Sequence, residues 1–279
     1  MLLALMTACA KAETPERMTI GGYGYPVSES VRYKLPKALR EISGLTLDDE
    51  GHLYGHADER GIVYRIDYRK GQVVSRFALE GDVRADFEGI AWLNEHLYLT
   101  TSNGRIYRTR PGSADAWMPF HAYDAELDCE VESLARDPSA NRLLAACKNR
   151  PDGGKALHIY AWNPENGRWS AAPIIRLKRS ALTDVFAGIG LPSPKKLQPT
   201  AMTTTSTGNL LLIAGPQKVL LELSPTGEPI AAARLDPGAH RQPEGLEMTA
   251  EGTLIIADEG DNKGANKSRG RLSIYEHEG

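Results

Sequence analysis

A chain of 279 residues in which 41% are apolar and 25% are charged can build a hydrophobic core, and disorder is not expected away from its ends. The formal net charge is −3, and no cluster of Lys and Arg residues departs from that balance. A nucleic acid partner is therefore not expected, because proteins of that class carry a basic patch.

The first residues are similar to the end of a bacterial lipoprotein signal. Met1–Ala8 is apolar and ends in two small residues directly before Cys9. The run is too short to span a bilayer, and no basic region precedes it. We expect residues 1–9 to belong to a truncated signal, Cys9 to carry a lipid that anchors the protein to a membrane, and residues 10–30 to form a tether. The expected location is the bacterial cell envelope, facing the periplasm or the exterior. A plain secretory signal and a chance cysteine are the alternatives.

A phrase of six residues recurs five times in the rest of the chain. The copies are EISGLT at Glu41–Thr46, DFEGIA at Asp86–Ala91, EVESLA at Glu130–Ala135, QPTAMT at Gln198–Thr203 and QPEGLE at Gln242–Glu247. The fifth residue of each copy is large and apolar and is here called its marker: Leu45, Ile90, Leu134, Met202 and Leu246. Successive markers are 45, 44, 68 and 44 residues apart. A repeat of this length, with room for four strands, is typical of a β-propeller blade.

The segments between the phrases alternate between β-branched or aliphatic runs and turn residues, as short strands do. In the second repeat, the fourth strand is predicted at Trp117–Ala122. The last repeat supplies three strands only, and a strand at Val31–Leu35 is available to complete it. The sequence therefore predicts an all-β fold in residues 31–279, a β-propeller of five four-stranded blades closed by an N-terminal strand. Six blades are the alternative.

The long third step contains an insertion at residues 179–197. Ser180 could cap a short helix over Ala181–Ala187. Insertions between blades commonly lie on one face of the disc and can cover the mouth of its channel. A loop without that role is the alternative.

Two cysteines, Cys129 and Cys147, flank the first hairpin of the third repeat. Direct pairing of the two strands would place Cys147 nearer Glu132 than Cys129. A disulfide between them then requires a bulge or a folded-back loop. The oxidising envelope favours the bond and the simple register does not, so both a disulfide and two buried thiols remain open.

Strand alternation places two positions of each phrase on one side of its strand. Four residues before the marker stand Glu41, Asp86, Glu130, Gln198 and Gln242. Two residues before it stand Ser43, Glu88, Glu132, Thr200 and Glu244. If the phrase opens the innermost strand of each blade, these ten side chains ring the central channel. Six of them are carboxylates and none is basic.

Carboxylates around one narrow opening repel each other, and burial raises the cost of charging them. Protonation, a bound cation or ion pairs would relieve that cost. The basic candidates nearby are Arg40, Arg60, Arg84, Lys148, Arg150 and Arg241. Clusters that offer only oxygen ligands suit calcium better than zinc.

These considerations give a set of candidate residues. The predicted metal ligands are Glu88, Glu132, Glu244, Asp258 and Glu259. The predicted ligand-binding residues are Glu41, Asp58, Glu59, Asp86, Glu130 and His56. A purely structural role is the alternative, since an acidic residue at the start of an inner strand often caps backbone amides or pairs with an arginine. No catalytic residue is assigned.

The phrases ISGLT, FEGIA, ESLA with the following LLAACK, and PEGLE with the following LIIADEGD carry a family resemblance. Over about Val31–Tyr275 the chain resembles the SdiA-regulated (YjiK-like) bacterial envelope propellers, which are similar in look to phytase-like and esterase-like propellers. The resemblance implies a propeller and an envelope location, without an established reaction. The phytase-like relatives use calcium and clustered carboxylates, which would carry over only to the five predicted metal ligands.

Three functions follow as hypotheses. The first is a non-enzymatic, lipid-anchored propeller that binds a small ligand or an envelope protein, with calcium at the channel mouth. The second is a calcium-dependent hydrolase of phosphate or carboxylic esters. The third is a scaffold for assembly of envelope proteins.

Overall fold

The computed structural model describes residues 30–149, 156–261 and 267–276. The predicted signal, nearly all of the tether, the predicted lipidation residue Cys9 and the basic candidate Arg150 lie outside these residues. Among the described residues, no helix is long and apolar enough to cross a membrane.

Five mainly antiparallel sheets form a ring, and each sheet is one blade. Blade 1 comprises β2 (Ile42–Leu47), β3 (Leu53–Ala57), β4 (Ile62–Asp67) and β5 (Gln72–Leu79). Blade 2 comprises β6 (Phe87–Leu93), β7 (His96–Thr101), β8 (Ile106–Thr109) and β10 (Phe120–Tyr123). In blade 3, β11 (Glu130–Asp137) and β12 (Arg142–Asn149) precede β13 (Ala156–Asn163), which pairs with both β14 (Arg168–Trp169) and β15 (Ile175–Lys178).

The last two blades complete the ring. Blade 4 comprises β16 (Pro199–Thr204), β17 (Leu210–Ala214), β18 (Val219–Leu223) and β19 (Pro229–Arg234). Blade 5 comprises β20 (Pro243–Met248), β21 (Leu254–Asp258), β22 (Arg271–Tyr275) and the N-terminal strand β1 (Val31–Lys34). The inner strands β2, β6, β11, β16 and β20 contact one another in sequence around the channel, and β20 returns to β2.

The ring is closed by hydrogen bonds between the two ends of the described chain. Strand β1 runs antiparallel to β22, from Val31 opposite Ile274 to Lys34 opposite Arg271. This confirms the prediction of five blades closed by an N-terminal strand. A short 3₁₀ helix, Lys37–Leu39, then leads into blade 1 and buries Leu39.

The predicted strand at Trp117–Ala122 is wrong, because the segment divides at Pro119. Trp117–Met118 (β9) pairs in parallel with β5 at the edge of blade 1, whereas Phe120–Tyr123 pairs with β8 in blade 2. Proline has no backbone N–H for a ladder and favours such a break. The segment therefore connects two blades.

The core lies between neighbouring blades. Strand β21 shows the principle, since Leu254 and Ile256 pack toward blade 4 while Ile255 and Ala257 pack toward blade 1. Because both faces of such a strand are buried, it is a continuous apolar run, unlike a strand with one solvated face.

The insertion folds into a 3₁₀ turn, Arg179–Leu182, followed by the short helix α1 (Thr183–Gly188). Leu182 and Phe186 are buried in the apolar cluster between blades 3 and 4, and the helix contacts β19, the outermost strand of blade 4. The helix therefore packs on the outer strand of blade 4.

Close packing of the inner strands depends on residues without a side chain. A Cβ atom added to Gly89 would lie 2.5 Å from the backbone nitrogen of Leu134 in the next blade. At Gly245, the same atom would lie 2.8 Å from Cγ of Leu45. Glycine thus permits the approach of neighbouring blades at these points.

We expect Gly89→Ala to lower the free energy of unfolding by about 1–3 kcal/mol, because the new methyl group meets backbone that cannot rotate away. Urea unfolding measures this. Gly112→Ala is the matched control, since its Cβ would lie 3.7 Å from the Cβ of Ala116, an ordinary contact. Equal stability of the two variants would contradict the close approach of β6 and β11.

Candidate functional site

Every inner strand contains a β-bulge at the same place in its repeat. In blade 1, Ile42 pairs with Ala57 and Gly44 pairs with His56, so that Ser43 is the extra, unpaired residue. In the other blades, the same irregularity leaves one residue of the inner strand without a partner in the next strand. These residues are Glu88, Glu132, Thr200 and Glu244. A bulge changes the direction of the residue it inserts. All of these residues except Thr200 line the channel.

Three glutamates from three blades converge at this point. Carboxylate oxygens of Glu88, Glu132 and Glu244 lie within 4.8 Å of one another. The hydroxyl of Ser43 donates a hydrogen bond to Oε2 of Glu88 at 3.3 Å. The fifth bulge residue, Thr200, instead donates to the carbonyl oxygen of Pro243 at 2.5 Å. We call Glu88, Glu132 and Glu244 the glutamate cluster.

Of the basic candidates named from the sequence, Lys148 forms an ion pair with this cluster. Its Nζ lies 2.8 Å from Oε1 of Glu132 and 4.0 Å from Oε1 of Glu130. Arg60 and Arg84 instead pair with Asp82 on the surface.

Burial and mutual repulsion disfavour the charged forms of the cluster. Burial, and then the charges of Glu132, Asp86 and Glu244, raise the pKa of Glu88 to about 9. Burial, followed by Glu132 and Glu259, raises the pKa of Glu244 to about 8. For Glu132, burial raises the pKa to about 7, although Lys148 acts in the opposite direction. In the absence of a cation, Glu88 and Glu244 are therefore mainly protonated at neutral pH.

The positions four residues before the marker lie outside the cluster of three, although the side chain of Glu130 is hydrogen-bonded to Glu132 and the charge of Asp86 acts on Glu88. Asp86 and Gln242 are exposed, and Glu41, Glu130 and Gln198 are half-buried. The expectation that they share a side with the glutamates assumed an unbroken strand. Because the glutamates are themselves the bulge residues, strand alternation does not relate the two positions. The residues four before the marker form a more open polar rim at the end of the channel where the inner strands begin, which we call the mouth.

The loop after β3 adds acidic groups near this rim. Burial, and then the charges of Glu41 and Glu59, raise the pKa of Asp58 to about 6. The charge of Asp58 in turn contributes to the raised pKa of Glu244, which indicates that the loop faces the cluster.

His56 is fully buried between blades 1 and 2. Its Nδ1 lies 3.1 Å from the carbonyl oxygen of Ala57, and its Nε2 would lie 2.7 Å from a Cβ atom on Gly44. Burial lowers the pKa of His56 to about 4, so the ring is neutral. The structure thus places His56 within the packing between blades.

Of the other two predicted metal ligands, Asp258 lies apart from the cluster. Its Oδ2 is 2.8 Å from Nδ1 of His240, and Nε2 of His240 is 2.5 Å from the hydroxyl of Tyr275. All three side chains are buried.

Glu259, the other predicted metal ligand, accepts a hydrogen bond from Nε2 of Gln242 at 2.7 Å, and its charge acts on Glu244. The His240 network is absent from the sequence predictions, because the hydrogen-bonding partners of an isolated histidine cannot be read from spacing.

Cys129 and Cys147 form a disulfide with their Cα atoms 5.8 Å apart. Glu130 pairs with Asn149, Val131 with Cys147 and Ser133 with Ala146, so the register of β11 and β12 shifts twice between Glu130 and Ser133. This is the kind of bulge that a bond between these cysteines requires. The disulfide therefore joins the two strands that carry Glu132 and Lys148.

A second group with metal-like spacing lies in the turn after β2, and consists of Asp48, Glu50 and His52. Oδ1 of Asp48 accepts hydrogen bonds from the backbone N–H groups of Glu50 and His52. These bonds explain the cluster as a side-chain-stabilised turn.

The fold and the channel define a class of protein, a five-bladed β-propeller whose inner strands direct buried carboxylates into a narrow channel. The chain belongs to the SdiA-regulated family, which matches residues 24–263. A comparison with curated proteins gave no significant match.

Several solved propellers are similar in fold. Glutaminyl cyclase from Myxococcus xanthus is 15% identical with a TM-score of 0.58, and the match covers 88% of this chain and 94% of that one. For a luciferin-regenerating enzyme the identity is 11% and the TM-score 0.54, with 90% and 96% covered. The calcium-binding protein regucalcin from Agrobacterium tumefaciens is 12% identical with a TM-score of 0.51, and the match covers 87% of this chain and 90% of that one. At these identities the likeness concerns the fold alone.

The raised pKa values predict how stability depends on pH in the absence of divalent cations. Between pH 4.5 and 9, Glu88 holds its proton in the folded protein and loses it on unfolding, so the free energy of unfolding falls as the pH rises. Urea unfolding in EDTA at several pH values should give a shallower fall for Glu88→Gln than for the wild type. Glu80→Gln, at an exposed position directly after β5 on the outside of the ring, should keep the wild-type slope. A wild-type slope in Glu88→Gln would show that Glu88 ionises normally in the folded protein.

Proposed function

We propose that the protein is a lipid-anchored envelope propeller that binds a divalent cation, calcium in the first place, at the glutamate cluster next to the channel mouth. The bound cation and the acidic rim would together bind a small ligand or an envelope protein. One observation carries this proposal, namely the convergence of three carboxylates from three separate blades within 4.8 Å. Such an arrangement supplies oxygen ligands only, which calcium prefers.

The energetics of the cluster support the same proposal. The folded protein keeps Glu88 and Glu244 mainly protonated at neutral pH because their charged forms are buried close together. A divalent cation would replace these protons and remove the repulsion between carboxylates. The hydroxyl of Ser43 and water would supply the further oxygen atoms that calcium needs.

Two features support the proposed envelope location. Small residues directly before Cys9 are typical of a lipidation site. The disulfide between Cys129 and Cys147 is of a kind that persists in oxidising compartments and is rare in the cytosol.

Isothermal titration of the purified protein with calcium tests the proposed site. We expect one ion per chain, with a dissociation constant of about 10⁻⁴–10⁻³ M, the range of extracellular calcium modules. Glu88→Gln/Glu132→Gln should bind at least about tenfold more weakly, because two charged ligands are lost.

The matched control is Glu80→Gln/Glu165→Gln, which removes two exposed carboxylates at the outside of the ring and should leave the affinity unchanged. Absence of calcium binding by the wild type at millimolar concentration would contradict the proposal. The cluster would then be a structural device.

A calcium-dependent hydrolase is the second candidate, and one observation favours it. The pKa of Glu132 is about 7, which suits a group that transfers protons at neutral pH. If this function is correct, calcium-loaded protein should hydrolyse p-nitrophenyl acetate or p-nitrophenyl phosphate. Glu132→Gln should abolish turnover while thermal unfolding stays cooperative, and Glu80→Gln should remain active. Lack of turnover with both esters in calcium would favour the binding function.

A further inference from the structure

The chain places a cation of its own against the proposed cation site. Nζ of Lys148 lies 2.8 Å from Oε1 of Glu132, whose side chain is only 2% exposed. Glu132 is thus the most deeply buried member of the glutamate cluster and already has a positively charged partner. A metal ion that used the same oxygen would have to displace this ammonium group.

Lys148 reaches this position because of an irregularity found in one blade only. In each of the other four blades, the first hairpin contains the single bulge on its inner strand. In blade 3, the pairing also skips Lys148, which lies on β12 between Cys147 and Asn149. Two extra residues, Glu132 and Lys148, therefore face each other across one pair of strands. The disulfide at Cys147 joins these strands immediately beside them.

A second carboxylate, that of Glu130, is hydrogen-bonded to Glu132 and already lies within ion-pair distance of Lys148. Oε1 of Glu130 lies 4.0 Å from Nζ, and the side chain of Glu130 is 40% exposed, at the rim of the mouth. A change in the side-chain torsions of Lys148 would exchange Glu132 for Glu130. The ammonium group would keep an ionic partner while the buried carboxylate became available.

We infer that Lys148 sets the cation affinity and selectivity of the channel as a tethered counter-ion, which holds Glu132 in the metal-free protein and moves to Glu130 when a divalent cation binds. This inference rests on the proposed cation site. Repulsion between two cations a few ångströms apart is strong where water is partly excluded. Lys148 therefore weakens metal binding as long as it stays on Glu132.

The same exchange selects against monovalent cations. Sodium carries no more charge than the ammonium group that it would displace, so it gains little from the carboxylates. Calcium carries twice that charge and gains more from the same oxygen atoms. The wild-type channel should accordingly bind calcium and show little binding of sodium.

Calcium titrations of four proteins test the inference, namely the wild type, Lys148→Gln, Lys148→Arg and Lys70→Gln. Glutamine can still donate a hydrogen bond to Glu132 but carries no charge, so Lys148→Gln should bind calcium at least about tenfold more tightly. Its affinity should also fall when sodium is added. Lys148→Arg keeps the charge and should resemble the wild type. Lys70→Gln removes an exposed lysine that pairs with Asp67 outside the channel and should bind as the wild type does.

The outcomes separate this inference from the proposed function. Tighter calcium binding by Lys148→Gln supports the inference even if the wild type gives no measurable heat of calcium binding. In that case, only the proposal of calcium binding by the wild type fails. Equal or weaker binding by Lys148→Gln than by the wild type overturns the role of Lys148 and leaves the calcium site standing. Absence of binding by both proteins overturns both.

If Lys148→Gln does not fold, Glu130→Gln provides the second measurement. Removing the alternative partner should hold Lys148 on Glu132 and weaken calcium binding, although Glu130 lies outside the glutamate cluster. Unchanged affinity in Glu130→Gln would overturn the proposed exchange.

Discussion

The structure depends on how an inner strand that is buried on both sides can also present a polar group to the channel. Alternate side chains of such a strand pack toward the preceding and the following blade, and both layers are mainly apolar. A buried polar side chain within them, such as Glu247, accepts hydrogen bonds from neighbouring strands. A polar side chain in either layer would be buried without water. The bulge avoids this burial, because it changes the direction of the inserted residue and allows it to line the channel. Ser43, Glu88, Glu132, Thr200 and Glu244 hold this position, and all except Thr200 line the channel, so one residue from each of four blades decides its chemistry.

Concentrating carboxylates in this way has an electrostatic cost, and the protein offsets it by different means at different positions. Protonation reduces the charge of Glu88 and Glu244, and the ammonium group of Lys148 balances Glu132. A bound divalent cation is the proposed third means. The solved propellers with similar folds do not help to choose among these means, because identities of 11–15% carry no information about individual side chains.

The period of the phrases was enough to predict the number of blades and their closure by β1, because each blade repeats one pattern of strands and turns. It also selected Glu88, Glu132 and Glu244 as neighbours. The details depended on contacts that spacing does not reveal. A bulge leaves the sequence pattern unchanged, so the pattern did not show that the three glutamates are extra residues of their strands. Pro119 divides a predicted strand between two blades. Asp258 forms a hydrogen bond with His240, which lies in the loop before β20.

The closure of the ring also determines where mechanical load would act. Strand β1 is the outermost strand of blade 5, so its first residue, Val31, lies at the circumference of the ring, far from the channel. Only four residue pairs join β1 to β22. A pull on the N-terminal end would act first on this short ladder, and the disc would open at the seam between its first and last strands while the other four blades kept their own hydrogen bonds.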